Sequence, residues 1–362
     1  MAIQKSFIFI FYLLSFFGQS QNQINNDQMF TYSGRVENLN DNKVILISSA
    51  SSVSFNFSGS SCSISLQNID TWQHHNYVSL VLDGEYIGRL KIEKDGLKSY
   101  DIPIRSTNQE HNLTIYKATE AANGGVLFAG TNAKLLPIIK KNKKKIEFIG
   151  DSITCGMGND TKEIPCGNNS EWFDQHNAYW AYGPILSRKL DVEYQLSSVS
   201  GIGMYRNWND EHILEAIMPD VYENLYLNKD KSKPYLYNFH PDIISICLGT
   251  NDFSDGDGVK KRLPFDEKKF ISNYTHFIKQ IYRHHPNTQL VLLNSPMVSG
   301  DRNLKFVDCL KKITKNFKNK KIEVFEFKPM TPKGCGYHPD IDDHSIMAEQ
   351  LESFFKKLID EK

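Results

Sequence analysis

Between residues 28 and 135, apolar and polar positions alternate in short runs, at 44–47, 53–57, 63–66, 78–82, 86–92, 100–104, 113–116 and 126–128. The pairs Asp83-Gly84, Asp95-Gly96 and Gly124-Gly125 punctuate these runs as turns, and no stretch among them keeps a helical period. About eight strands without a helix predict an all-β sandwich. Beyond residue 145 the pattern changes. Apolar runs at 146–149, 194–199, 243–248, 290–293 and 322–325 alternate with helical periodicity near 177–190, 266–284, 302–316 and 343–359. Phe270, Tyr274, Phe277, Ile278 and Ile281 fall on one helical face, as do Met347, Leu351, Phe354, Phe355 and Leu358. Alternating β and α elements predict a parallel sheet covered on both faces. The chain is therefore read as a β-sandwich over 21–140 followed by an α/β domain over 141–362. The lysine cluster Lys140, Lys141, Lys143, Lys144 and Lys145 marks the join, which is too short to hold the two apart.

Residues 1–20 fit neither pattern: Lys5 precedes an apolar stretch over 7–17, and the small residues Gly18 and Ser20 follow. This is the layout of a cleaved signal peptide, shorter than the roughly 20 apolar residues that cross a bilayer. The mature protein is expected to be secreted or periplasmic, with no membrane span. Lys and Arg total 42 against 42 for Asp and Glu, so no net charge draws the chain to nucleic acid. Export permits disulfides among the six cysteines. Cys155 and Cys166 flank one loop and are the expected pair, Cys309 and Cys335 a second guess, and Cys62 and Cys247 read as buried free thiols.

In a parallel α/β sheet the loops at the carboxyl ends of the strands converge on one crevice. Three such ends carry polar, glycine-rich segments here: Gly150-Asp151-Ser152, Ser200-Gly201-Ile202-Gly203 and Gly249-Thr250-Asn251-Asp252. Ser152 suits a nucleophile, and the Ser152 N–H, the Gly201 N–H and the Asn251 side-chain amide suit an oxyanion hole. The base is assigned to His338, in the loop ahead of the last helix. His338, Asp340, Asp342, Asp343 and His344 could also be arranged around a metal, but Asp342 and Asp343 are explained by the helix start. No metal and no cofactor are expected.

Ser152, Gly201, Asn251 and His338, in this order and context, resemble the four sequence blocks of the SGNH (GDSL-type) hydrolases. Met218-Pro219-Asp220, His338-Pro339 with His344 and Met347, and the run from His111 to Glu120 extend the resemblance to carbohydrate esterase family 2. That resemblance implies an N-terminal jelly roll joined to an SGNH domain. It also implies metal-free deacetylation of polysaccharides such as xylan and glucomannan, with Ser152 as nucleophile, His338 as base, and Ser152, Gly201 and Asn251 as oxyanion donors. One departure stands out. Family members tend to carry an aspartate two residues before the histidine, and SGNH enzymes commonly three before, where this chain has Gly336 and Cys335. A main-chain carbonyl, or a carboxylate from elsewhere, is then expected to hold the imidazole. Two alternatives remain: a carbohydrate-binding protein without turnover, and an esterase for another acyl ester. Trp72, Trp172, Tyr205, Trp208 and Tyr337 are the aromatic residues that could stack on sugar rings, although large aromatics at such positions are more often simply packed.

Overall fold

The computed structural model describes residues 28–361 except 40–42, 71, 73, 106 and 168, so the proposed signal peptide lies outside the described residues. The alternating runs of the first half fold into two antiparallel sheets. One contains β1 (Thr31–Ser33), β4 (Ser52–Ser58), β9 (Glu110–Lys117), β6 (Asn76–Leu82) and β7 (Glu85–Ile92), in that order, with β11 (Lys134–Leu136) also on β4. The other contains β2 (Val36–Asn38), β3 (Val44–Leu46), β10 (Gly125–Thr131), β5 (Ser63–Ile69) and β8 (Lys98–Asp101). Their inner faces close over Phe55, Phe57, Leu66, Val78, Leu113, Ile115 and Phe128, all buried. The run expected at 100–104 pairs earlier, at Lys98–Asp101. Strands β1, β2 and β11, three residues each, are too short to show a period.

The second half is a five-stranded parallel sheet in the order β13 (Glu193–Ser198), β12 (Lys145–Gly150), β14 (Ile243–Cys247), β15 (Gln289–Leu293) and β16 (Ile322–Phe325). Helix α2 (Tyr182–Lys189) and α7 (Ile341–Asp360) pack in one layer, α5 (Glu267–His284) and α6 (Gly300–Thr314) in the other. The short helices α1 (Ser152–Cys155), α3 (Met218–Val221) and α4 (Thr250–Phe253) begin in loops after strands. The apolar stripe of α5 is buried through Phe270, Tyr274, Phe277, Ile278 and Ile281, and Asp266 caps its start by accepting the Lys269 N–H. After β12 the chain places its next strand on one side and β14 on the other, which is the switch point where α/β sheets open a crevice.

The two halves share a packed seam. Arg35, fully buried, leaves the sandwich to donate to Ser197 Oγ (3.1 Å), Asn224 O (2.9 Å) and Tyr222 O (3.0 Å). Its guanidinium lies 4.0 Å from the centre of the Tyr235 ring. Elsewhere along the seam the Ala178 N–H donates to Ala118 O, Ser79 Oγ to Asn177 Oδ1, and the Tyr86 and Tyr179 rings stack.

Candidate active site

Strand β12 ends at Gly150, and Asp151 turns the chain into α1 by accepting the Ile153 N–H at 3.0 Å. Ser152 is thereby the first residue of a helix, where an amide has no intrahelical acceptor and points toward incoming negative charge. Burial pushes the Asp151 carboxyl up to about 7.

His338 Nε2 lies 2.7 Å from Ser152 Oγ, and His338 Nδ1 lies 2.8 Å from the Gly336 carbonyl oxygen. A carbonyl only accepts, so Nδ1 carries the proton and Nε2 keeps the lone pair that a serine proton would enter. Gly336 takes φ 63°, a left-handed conformation that turns its carbonyl toward the ring two residues on. Here the main chain occupies the place of the absent carboxylate. Gly334 and His338 close the loop through a Gly334 N–H to His338 O bond of 2.7 Å.

Gly201 follows β13 with φ 75°, and its carbonyl accepts the Trp208 N–H at 2.9 Å. Asn251, on α4, spends one amide hydrogen on Ile202 O at 2.8 Å, which leaves its second for another acceptor. Two groups that sequence reading did not single out brace this pair. Asp252 collects the Met204, Tyr205 and Arg206 amides at 2.8–3.2 Å, and Arg262 donates to Asn251 O at 3.0 Å. Burial raises the Asp252 carboxyl to about 6, against the pull of those amides. Asp252 stood next to a chosen residue, whereas Arg262 lies in no motif.

Two expectations are corrected. Cys155 does not pair with Cys166, because it closes α1 facing inward, fully buried, with its thiol 3.2 Å from Glu120 Oε2. Cys166, on the loop after α1, is instead bonded to Cys335, three residues before His338. Cys309, the other partner considered for Cys335, is buried on α6 as a free thiol, and Cys62 and Cys247 are buried and free as well. Tyr205 is not a sugar platform: it is 7% exposed, packed against Phe265 and Phe270, with its hydroxyl accepting the Asp266 N–H. The Asp252 clasp pulls its loop inward. Trp208 beside Gly201, Tyr337 beside His338, and Trp172 against His176 remain 47%, 87% and 47% exposed. Trp72 is exposed on the sandwich, in the turn after β5. Among the described residues no group of three or more His, Cys, Asp or Glu is placed to hold a metal ion.

Burial holds the His338 imidazole below its ordinary value of 6.5, with the Gly336 carbonyl pulling the other way. A base must be neutral to accept a proton, so activity should fall as pH drops through that lowered value, and the acid limb of kcat/KM should lie below pH 6.5. Gly336→Asp tests the assignment of that limb. A Cβ at this position would sit 3.7 Å from His338 Nδ1, and aspartate tolerates the left-handed backbone. The new carboxylate should favour the imidazolium and move the limb upward, with a higher plateau rate. A limb that stays in place on Gly336→Asp would mean that another group, such as Asp252, sets it.

Family models match both halves: carbohydrate esterase 2 N-terminal over residues 32–138, and GDSL-like lipase/acylhydrolase over residues 146–351. An acetylxylan esterase / glucomannan deacetylase of Cellvibrio japonicus is 30% identical over 293 residues, covering 76% of each chain. A family two carbohydrate esterase from Clostridium thermocellum, solved in complex with cellohexaose, superimposes with a TM-score of 0.78 at 26% identity, over 91% of this chain and 98% of that one. A carbohydrate esterase family 2 enzyme with a carbohydrate binding domain, from Corynascus thermopiles (Myceliophthora fergusii), gives the same TM-score and identity, over 91% and 99%.

Proposed function

The chain belongs to the family 2 carbohydrate esterases, and from that membership we propose that it is an exported O-deacetylase of plant-type polysaccharides, working through Ser152 and His338. It is a carboxylic ester hydrolase. The observation that carries the proposed mechanism is the 2.7 Å approach of His338 Nε2 to Ser152 Oγ with Nδ1 already committed to Gly336.

In the proposed reaction Ser152 Oγ attacks the acetyl carbonyl while Nε2 takes its proton. The oxyanion forms within reach of the Ser152 and Gly201 amides and the Asn251 side chain, each such donor contributing about 3 kcal/mol to the transition state. Collapse breaks the bond to the sugar oxygen, which leaves as a hydroxyl with the proton held by His338. A water, deprotonated by the same imidazole, then releases acetate and restores Ser152. Trp208, Tyr337 and Trp172 offer exposed ring surface for the sugar. Export is inferred from the Lys5-led apolar stretch and accords with a disulfide.

The deciding measurement is acetate release from acetylated xylan, acetylated glucomannan and longer-chain sugar esters by wild type and Ser152→Ala. Release from the polysaccharides by wild type alone is expected. Preference for long acyl chains, or equal release by Ser152→Ala, would overturn the reading.

A further inference from the structure

Glu120 belongs to the sandwich, in the connection from β9 to β10, yet its carboxylate is fully buried against the α/β half. Its Oε2 accepts the Ser200 N–H at 2.6 Å and the Cys155 thiol at 3.2 Å. Ser200 is the residue before Gly201, and Cys155 ends the helix that Ser152 begins. One oxygen thus touches the segment of the nucleophile and the segment of the oxyanion donor.

We propose that Glu120 is a positioning residue for the ester hydrolase site: from the neighbouring domain it fixes the Ser200 amide and thereby aims the Gly201 N–H at the oxyanion. A Cβ added at Gly201, which takes φ 75°, would meet nothing nearer than Trp208 Cβ at 4.0 Å, so no side chain packs against that side of the glycine, and its one backbone tie named above is from its carbonyl to the Trp208 N–H. The residue on its amino-terminal side, Ser200, is therefore the point from which its amide can be set. Glu120 has close neighbours of its own. The Lys117 side-chain nitrogen donates to the main-chain carbonyl oxygen of Glu120 at 2.6 Å, and His176 Nε2 stands 3.8 Å from Glu120 Oε1. His176 Nδ1 accepts the Gly158 N–H, which leaves the proton on the nitrogen that faces Glu120. Burial opposes its charge, but His176 and the Ser200 donor together hold Glu120 below the ordinary carboxylate range.

Three variants of the full chain, assayed with 4-nitrophenyl acetate, separate placement of the acceptor from simple domain adhesion. Glu120→Gln keeps an acceptor oxygen at full reach and should stay within about threefold of wild-type kcat, whereas an uncoupled oxyanion donor costs about 10²-fold. Glu120→Asp withdraws the carboxylate by one methylene, about 1.5 Å, and Glu120→Met keeps the volume without an acceptor. Both should lose about 10²-fold in kcat with KM little changed. Inhibition by phenylboronic acid, whose tetrahedral serine adduct occupies the oxyanion site, should weaken in the same two variants. The assignment rests on the esterase reading. A wild type that hydrolyses no ester overturns both, while an active wild type matched in kcat by folded Glu120→Asp or Glu120→Met overturns this one alone. Equal loss in all three variants would likewise overturn it, since the charge and not the acceptor's position would then matter.

Discussion

Ser152→Ala and His338→Ala are each expected to lower kcat/KM for an acetate ester by about 10⁴-fold, whereas His344→Ala should leave the rate of the folded protein nearly intact. Removal of nucleophile or base from a complete triad costs nearer 10⁶-fold in kcat. The smaller figure follows from the partner at Nδ1: a neutral carbonyl at 2.8 Å stabilises the imidazolium less than a carboxylate does, so there is less catalysis to lose. The residual rate belongs to the oxyanion donors and to substrate positioning, which neither substitution touches. His344 is a control of the same residue type on the next helix. Its Nδ1 accepts the Tyr182 N–H at 3.2 Å, and burial lowers its imidazole to about 3, so it remains neutral within the layer formed by α2 and α7. Its loss should appear in a melting curve. Catalysis that survived His338→Ala and vanished in well-folded His344→Ala would refute the assignment of the base.

Reducing the Cys166–Cys335 bond should have the next largest effect, on stability and rate together. The bridge closes a loop of 169 residues, for which chain entropy alone gives about 5 kcal/mol at most. A loss of that order corresponds to roughly 10 °C or more in melting temperature for a domain of this size. The effect on rate has a separate cause. Cys335 donates its N–H to Gly158 O at 2.8 Å and accepts the His338 N–H at 3.3 Å, so the bridge pins the turn that carries His338 to the loop that follows Ser152. Cys166→Ser should therefore lose activity at temperatures where it is still folded. The free cysteines Cys62, Cys155, Cys247 and Cys309 are buried, so brief native reduction followed by alkylation should label two thiols and no more. A Cys166→Ser protein with unchanged melting temperature and unchanged kcat would contradict this account.

The parts of the fold and site that could be read from sequence were those with a local signature. Ser152, Gly201, Asn251 and His338 each sit where a strand or loop announces itself, and the structure brings Ser152 and His338 into contact. The helices α5 and α7 were visible in their apolar stripes because 18 and 20 residues sample several turns. What failed to show was tertiary. Cys155 and Cys166 are eleven positions apart, which suggested a bond, but a helix-end thiol turned inward cannot meet a surface loop; Cys335 arrives there only after the chain has crossed the whole sheet. Tyr205 follows a glycine-rich segment and was a candidate for stacking on sugar, since nothing nearby in sequence revealed that Asp252 would gather its loop by four hydrogen bonds. Glu120 closed a run quoted for the family resemblance, but nothing local gave it a role, because its partners Ser200 and Cys155 lie in the other half of the chain.

Arg35 bears on how such a protein can be recombined. Its guanidinium is held by two carbonyls and a hydroxyl of the α/β half, and that hydroxyl, Ser197 Oγ, in turn donates to the buried Glu147 at 2.6 Å. Replacing the sandwich at the lysine-rich join by one without that arginine would leave those acceptors and the Tyr235 face without their cation. A sandwich borrowed from elsewhere would have to reproduce that arginine at that depth. The two halves therefore depend on each other at this point, and a crossover placed between sandwich and sheet would have to carry both the arginine and its acceptors.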